Sequence, residues 1–229
     1  METKERYFNF PVQLLTDFMK DSKDALNNIS DYAVYAHCLK LEHGNDLEMM
    51  RSSAKYYNIK LYNVGASLKN GRNLYQSISE TSPKVGINLK TWWEYYGGGK
   101  SEFENVCLLA HLAIKSIIQN HSCCKITNDY LFSRMSGFTT VVKPDMFTYQ
   151  LTKYYNEYQI SKKIKPFLIH QWYLVTYSFH TRGFWVSYKM SLEDLVLEVE
   201  KRRKSTKENQ YKKQVRELRE KALLKLNAL

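Results

Sequence analysis

Gly97-Gly98-Gly99-Lys100-Ser101 ends in the letters that close a nucleotide-binding P-loop, in which backbone N–H groups cradle phosphates, a lysine neutralises them and a hydroxyl holds magnesium. A P-loop also needs a glycine five residues before its last one, and Glu94 stands there, which would set a carboxylate beside phosphates. The lead-in, Thr91 to Tyr96, is bulky and aromatic, whereas a P-loop follows a buried aliphatic strand. Ser101 followed by Glu104 has instead the spacing of a helix capping box, so the glycines read as a joint placed before a helix.

His121, Cys123 and Cys124 form the other cluster with ligand chemistry. A tetrahedral zinc site spaces its cysteines by two to four residues and draws on a second pair, which this sequence lacks, so no metal and no cofactor is expected. Cys123 and Cys124 are read as a loop before a helix, and Cys38 and Cys107 as small apolar residues of helices. Paired-histidine metal motifs and nucleophile elbows are missing, and no enzymatic activity is expected.

Basic residues carry the remaining chemistry. Lys162, Lys163 and Lys165, with Ser161, sit near the start of a helical stretch, where free backbone N–H groups add to the attraction for phosphate. His180, Thr181 and Arg182 occupy the turn between two alternating runs. Lys69, Asn70 and Arg72 lie on or beyond the second helix of a helix-turn-helix pattern in which Ala54, Asn58 and Val64 take the small, turn and apolar positions. A fourth group, Lys201, Arg202, Arg203 and Lys204, opens a tail in which eleven basic residues face three acidic ones between Lys201 and Lys225, +8 of the chain's +11. A pI near 9.3 favours polyanionic partners. The longest apolar run, Val106 to Ile118, is broken by His111 and Lys115 and too short to span a bilayer, so a cytoplasmic protein that does not enter membranes is expected.

The elements that must position these residues follow from periodicity. Helices are expected from Ser22 to Leu41, from Asn45 through Tyr57, and from Asn63 to Ile78, the last broken by Asn70-Gly71. Val85, Ile87 and Leu89 alternate as a strand does, while Leu89 to Tyr96 could equally be a short helix. Then come a strong helix from Glu102 to Asn120, a short one over Asp129 to Met135 preceded by Thr127 and Asn128, one from Pro144 to Asn156, and a helical stretch from Ile160 to Trp172 in which Pro166 marks a kink or a first turn. Leu174 to Lys189 reads as a β-hairpin, and Ser191 with Asp194 caps a final helix. Lys55-Tyr56-Tyr57-Asn58 recurs as Lys153-Tyr154-Tyr155-Asn156.

Helices, a short turn, a basic helix and a hairpin, in that order, resemble winged-helix DNA-binding domains, and two such units resemble the replication initiators of plasmids and related mobile elements. The resemblance runs over Ser22 to Lys189, best from Ser101 on, and no wing is identified in the first half. It implies a mainly α-helical protein with two helical domains, 1–98 and 99–190, the second a winged helix, and a long basic C-terminal helix over 191–229. Double-stranded DNA is the implied partner, bound by a replication initiator or transcription regulator of a mobile element or phage. The helix before the hairpin would enter the major groove and the hairpin tip would touch the backbone or minor groove. Two other readings stay open. One is a protein-interaction module that uses a winged-helix scaffold, with Val215, Leu218, Ala222 and Leu226 pairing with a helical partner or a second copy. The other is RNA binding through exposed aromatics.

Overall fold

In a computed structural model, residues 5–41, 44–178 and 183–226 are described, with side chains through residue 220. The described chain is mainly helical, with nine α-helices, two small antiparallel sheets and a long C-terminal helix.

β1 (Tyr7–Pro11) and β2 (Lys84–Asn88) pair antiparallel and enclose three helices, α1 (Ser22–Cys38), α2 (Asp46–Tyr56) and α3 (Val64–Ser77). β1 was not foreseen, although Phe8 and Phe10 alternate with Asn9; both rings are fully buried and Asn9 is exposed. The ambiguous stretch is a strand and then a helix, since β2 hands over at Asn88 to α4 (Leu89–Tyr96), whose first turn the Asn88 side chain caps. α3 is one continuous helix, not the two pieces that Asn70-Gly71 was expected to make. A Cβ at Gly71 would come 2.5 Å from the Asp31 carbonyl oxygen, so this glycine is where α3 crosses α1 at close range. Asn58 adopts the left-handed conformation, φ 53°, that its place in the turn requires.

α4 ends at Gly97. Gly98 and Gly99 follow with φ of 81° and 79°, conformations that favour glycine, and a Cβ on either would meet open space. Ser101 then caps α5 (Glu102–Ile118): its Oγ accepts from the Glu104 N–H at 3.2 Å, and the Glu104 carboxylate accepts from the Ser101 N–H at 2.9 Å. The capping box displaces the magnesium-ligand role.

β3 (Cys124–Ile126) follows α5, where a loop was expected, and its partner β5 lies 60 residues on, out of reach of local pattern. After α6 (Asn128–Met135), the helix expected from Pro144 to Asn156 is only a 3-10 turn, Pro144–Met146, and one helical turn, α7 (Tyr149–Thr152). Phe147 breaks it by turning extended to bury its ring against Phe132 and Tyr155. A π-helical turn, Gln159–Ile164, runs without a break into α8 (Lys165–Trp172): the Lys165 N–H bonds to the Ile160 carbonyl, and Pro166, which has no N–H to offer, follows where the wider turn gives way to α-helix. β4 (Val175–Tyr177) and β5 (Phe184–Ser187) form the hairpin, and β5 lies between β3 and β4. α9 (Leu192–Leu226) starts at a Ser191 cap that accepts from the Asp194 N–H.

Buried side chains of both halves form one contiguous core, from Phe8 and Leu26 to Leu112, Phe132 and Val186. A small second core lies on the other face of the three-stranded sheet, where Leu195 and Val199 of α9 meet Val175, Tyr177, Trp185 and Cys123.

Candidate nucleic-acid interface

The chain segment from Gln159 to Trp172 buries Ile160, Ile164 and Leu168, spaced by four, against the core. The opposite side exposes Tyr158, Lys162, Ile169 and Tyr173, with Lys163, His170 and Gln171 beside them. The Asn156 side chain accepts from the Gln159 N–H at 2.9 Å, so the first turn already uses one of its N–H donors internally.

The four residues expected here divide. Lys162 and Lys163 are exposed, and the Lys163 ammonium lies 5.7 Å from the Tyr158 ring centroid. Ser161 is partly buried and donates to the Glu157 carboxylate. Lys165 turns inward: its ammonium lies 3.8 Å from the centroid of the Phe184 ring, and burial holds its pKa below the usual lysine value. Lys165 thus joins α8 to the hairpin as a packing residue, with its stem buried and its charge on an aromatic face. His180, Thr181 and Arg182, the expected hairpin tip, lie outside the described residues.

In the first half, Lys69 is exposed on α3, but its companions are engaged within the fold. Asn70 donates to Asn28 at 2.8 Å and to Asp31 at 2.9 Å, fixing α3 on α1. Arg72 binds the Asp46 carboxylate of α2, and its pKa is raised by hydrogen bonding to Tyr35 and then by Asp46. Asn73 and Gln76 are exposed one and two turns beyond Lys69, and sequence reasoning passed over both.

On α9, Lys201 and Lys204 are exposed. Arg202 is bound to Glu198 at 2.7 Å, and Arg203 to Glu200 at 2.6 Å.

The strongest titration shifts lie elsewhere, in a cleft of about 680 Å³ between the halves, lined by β2, α4, α5 and α8. There His111 Nδ1 is 2.8 Å from the Tyr188 hydroxyl, and the imidazole stacks on Trp172. Burial, with Lys115 nearby, lowers the His111 pKa to about 3, and burial raises that of Tyr188, so both are neutral across the physiological range. Lys115 lies one turn further along α5 and donates to the Gly86 carbonyl of β2 at 3.2 Å, with its ammonium over Tyr7. Of the two residues that interrupt the apolar run of α5, Lys115 reaches the first half and His111 is held by Trp172 and Tyr188 of the second, and the interruption was the signal.

Among the described residues, no three His, Cys, Asp or Glu side chains converge as metal ligands. Cys123 is buried, and burial pushes the Cys124 thiol up to about 12, so Cys124 is not poised as a thiolate near neutral pH. No described helix is long and apolar enough to cross a membrane.

The chain matches no protein-family model, no curated protein and no solved structure. Its own geometry is therefore the guide to its function.

Proposed function

We propose that this chain is a non-catalytic protein that binds double-stranded DNA, with α5 to β5 as a winged helix and with the role of a replication initiator or transcription regulator of a mobile element. The observation that carries this is the order helix, strand, three helices, hairpin, closed by the sheet order β3-β5-β4, with exposed Lys162 and Lys163 in the turn that leads into α8, the helix before the hairpin. In that arrangement the segment from Tyr158 to Tyr173 enters the major groove, its lysines reach phosphates or base edges, and the connection between β4 and β5, whose sequence includes Arg182, meets the flanking backbone. The first half repeats a trihelical unit backed by β1 and β2, with Lys69 and Asn73 exposed on α3.

Electrophoretic shift with random duplex at two salt concentrations is the direct test. Binding falls steeply with salt, and replacing Lys162, Lys163 and Arg182 by Ala weakens it and lowers the slope of log affinity against log salt by about 0.9 for each phosphate no longer neutralised. Absent or salt-insensitive binding rejects the reading.

A second reading rests on α9. Tyr211 and Leu218 are 69% and 66% exposed and, with Val215, follow a four-three spacing that fits a helical partner or a second copy. Sedimentation of the chain truncated before Lys201 distinguishes it, since loss of self-association with DNA binding intact assigns the tail to protein pairing.

A further inference from the structure

The three-stranded sheet is covered on both faces. Phe184, Val186 and Ile126 point into the main core, and Trp185 points the other way, toward α9. Leu195 and Val199 seal α9 onto that outer face, and Arg202, one turn on from Glu198, still lies over Trp185 of the sheet. Here lies a groove of about 810 Å³, lined by Lys125, Trp185 and one flank of α9 from Glu198 to Lys207. Its charged lining is one-sided: Lys125, Lys201, Arg202, Arg203 and Lys207 against Glu198.

Two contacts organise it. The Arg202 guanidinium lies 5.2 Å from the centroid of the Trp185 indole while its Nε donates to Glu198 at 2.7 Å, which fixes the guanidinium plane at the groove floor. Lys125 stands opposite Trp185 in the β3–β5 register, on the strand that local pattern alone reads as a loop. β3 is the sheet edge remote from β4, the strand to which α8 leads. Trp185 extends the groove onto β5, and it opens on the sheet face opposite to that of Phe184, whose ring meets Lys165 of α8.

We propose that this groove is a second phosphate-binding site, taking the backbone of the same duplex in a stretch flanking the one that α8 engages. The inference rests on the DNA-binding reading above. Charge selects the occupant: a concave surface with five cations and one anion, four of those cations opening the Lys201 to Lys225 segment that carries +8 in all, attracts a polyanion. Geometry makes the recognition sequence-independent, because ammonium groups and a fixed guanidinium bind phosphate oxygens and carry no base readout.

The test compares the intact chain with Lys125→Ala/Lys201→Ala/Lys207→Ala, and with a control triple, Lys20→Ala/Lys40→Ala/Lys84→Ala, on the first half. Fluorescence anisotropy is read with duplexes of about 15 and about 30 base pairs over a range of salt. On the longer duplex the groove variant loses about 2 to 3 from the salt slope and binds tens of times more weakly at low salt, while the control triple changes little. On the shorter duplex the groove variant matches the intact chain. An unchanged slope on the longer duplex, an equal loss from the control triple, or an equal loss at both lengths overturns the second site while leaving DNA binding by α8 standing. No duplex binding by the intact chain overturns the functional reading first, and this site with it.

Discussion

Lys162 and Lys165, three residues apart and both basic, have different physical roles, and their substitution separates recognition from packing. Lys165→Ala removes a cation held over Phe184 and the stem packed beneath it, and it lowers unfolding free energy by about 1–2 kcal/mol. Lys162→Ala, at an exposed position, shifts stability by less than about 0.5 kcal/mol and acts on DNA affinity instead. Chemical denaturation beside a binding titration checks both, and a Lys165 variant of normal stability would mean that its ring contact contributes nothing. Gly71 offers a test of sign. Alanine at an exposed helix interior gains about 1 kcal/mol over glycine, but at Gly71 its Cβ would sit 2.5 Å from the Asp31 carbonyl, so Gly71→Ala costs about 1–3 kcal/mol, measured as a fall in melting temperature. At this scale, the sequence shows residue type and not direction. Capping residues such as Ser101 and Asn45 were legible or partly so because their partner lies three residues away, while the internal contacts of Lys165, Asn70 and Arg72 were not, because Phe184, Asp31 and Asp46 lie far along the chain.

Elements with a long repeat were readable: α1, α2 and α5 each show one apolar stripe over three or more turns. Short strands were not. β3 has three residues and β1 five, and each depends on a partner about 60 or more residues away, so their alternation carried little weight until the pairing was known. The repeated Lys-Tyr-Tyr-Asn also acquires a physical content: Tyr57 packs on Phe8 at 4.8 Å and Tyr155 on Phe132 at 5.2 Å, so each copy buries its second tyrosine on a phenylalanine, although Asn58 turns left-handed and Asn156 caps the next turn. For α9 the two ends differ in kind. Leu195 is fully buried under the sheet, so Leu195→Ala costs about 2–5 kcal/mol; Leu218, 66% exposed on the distal part, tolerates the same change within about 0.5 kcal/mol. Equal effects in thermal unfolding would show that the distal helix is packed in solution, as pairing with a second copy requires.

For the molecule as a whole, the junction between the halves sets how stability follows pH. The contiguous core passes through α5, and three contacts join α5 to the first half or close the cleft behind it: Lys115 to Gly86, Tyr95 to the Glu104 carbonyl at 3.3 Å, and His111 to Tyr188. His111 has a folded pKa near 3 against about 6.5 when unfolded, so below pH 6.5 the unfolded chain takes up a proton that the folded one refuses. The stability tied to neutral His111 is thus fully present above pH 6.5 and is lost as pH falls toward 3. Tyr188 works in the other direction. Its raised pKa means that the unfolded phenol ionises first, so stability is retained below about pH 10 and lost above it. Both limbs arise because burial disfavours charge on either member of the hydrogen-bonded His111–Tyr188 pair, and the Lys115 ammonium one turn away further disfavours a positive imidazole. Denaturant midpoints measured from pH 8 to pH 4 decline in the intact chain, and His111→Gln, less stable at pH 8, declines less over the same range. Parallel declines would show that the imidazole reaches solvent as the halves separate, and that the junction opens well before the core does.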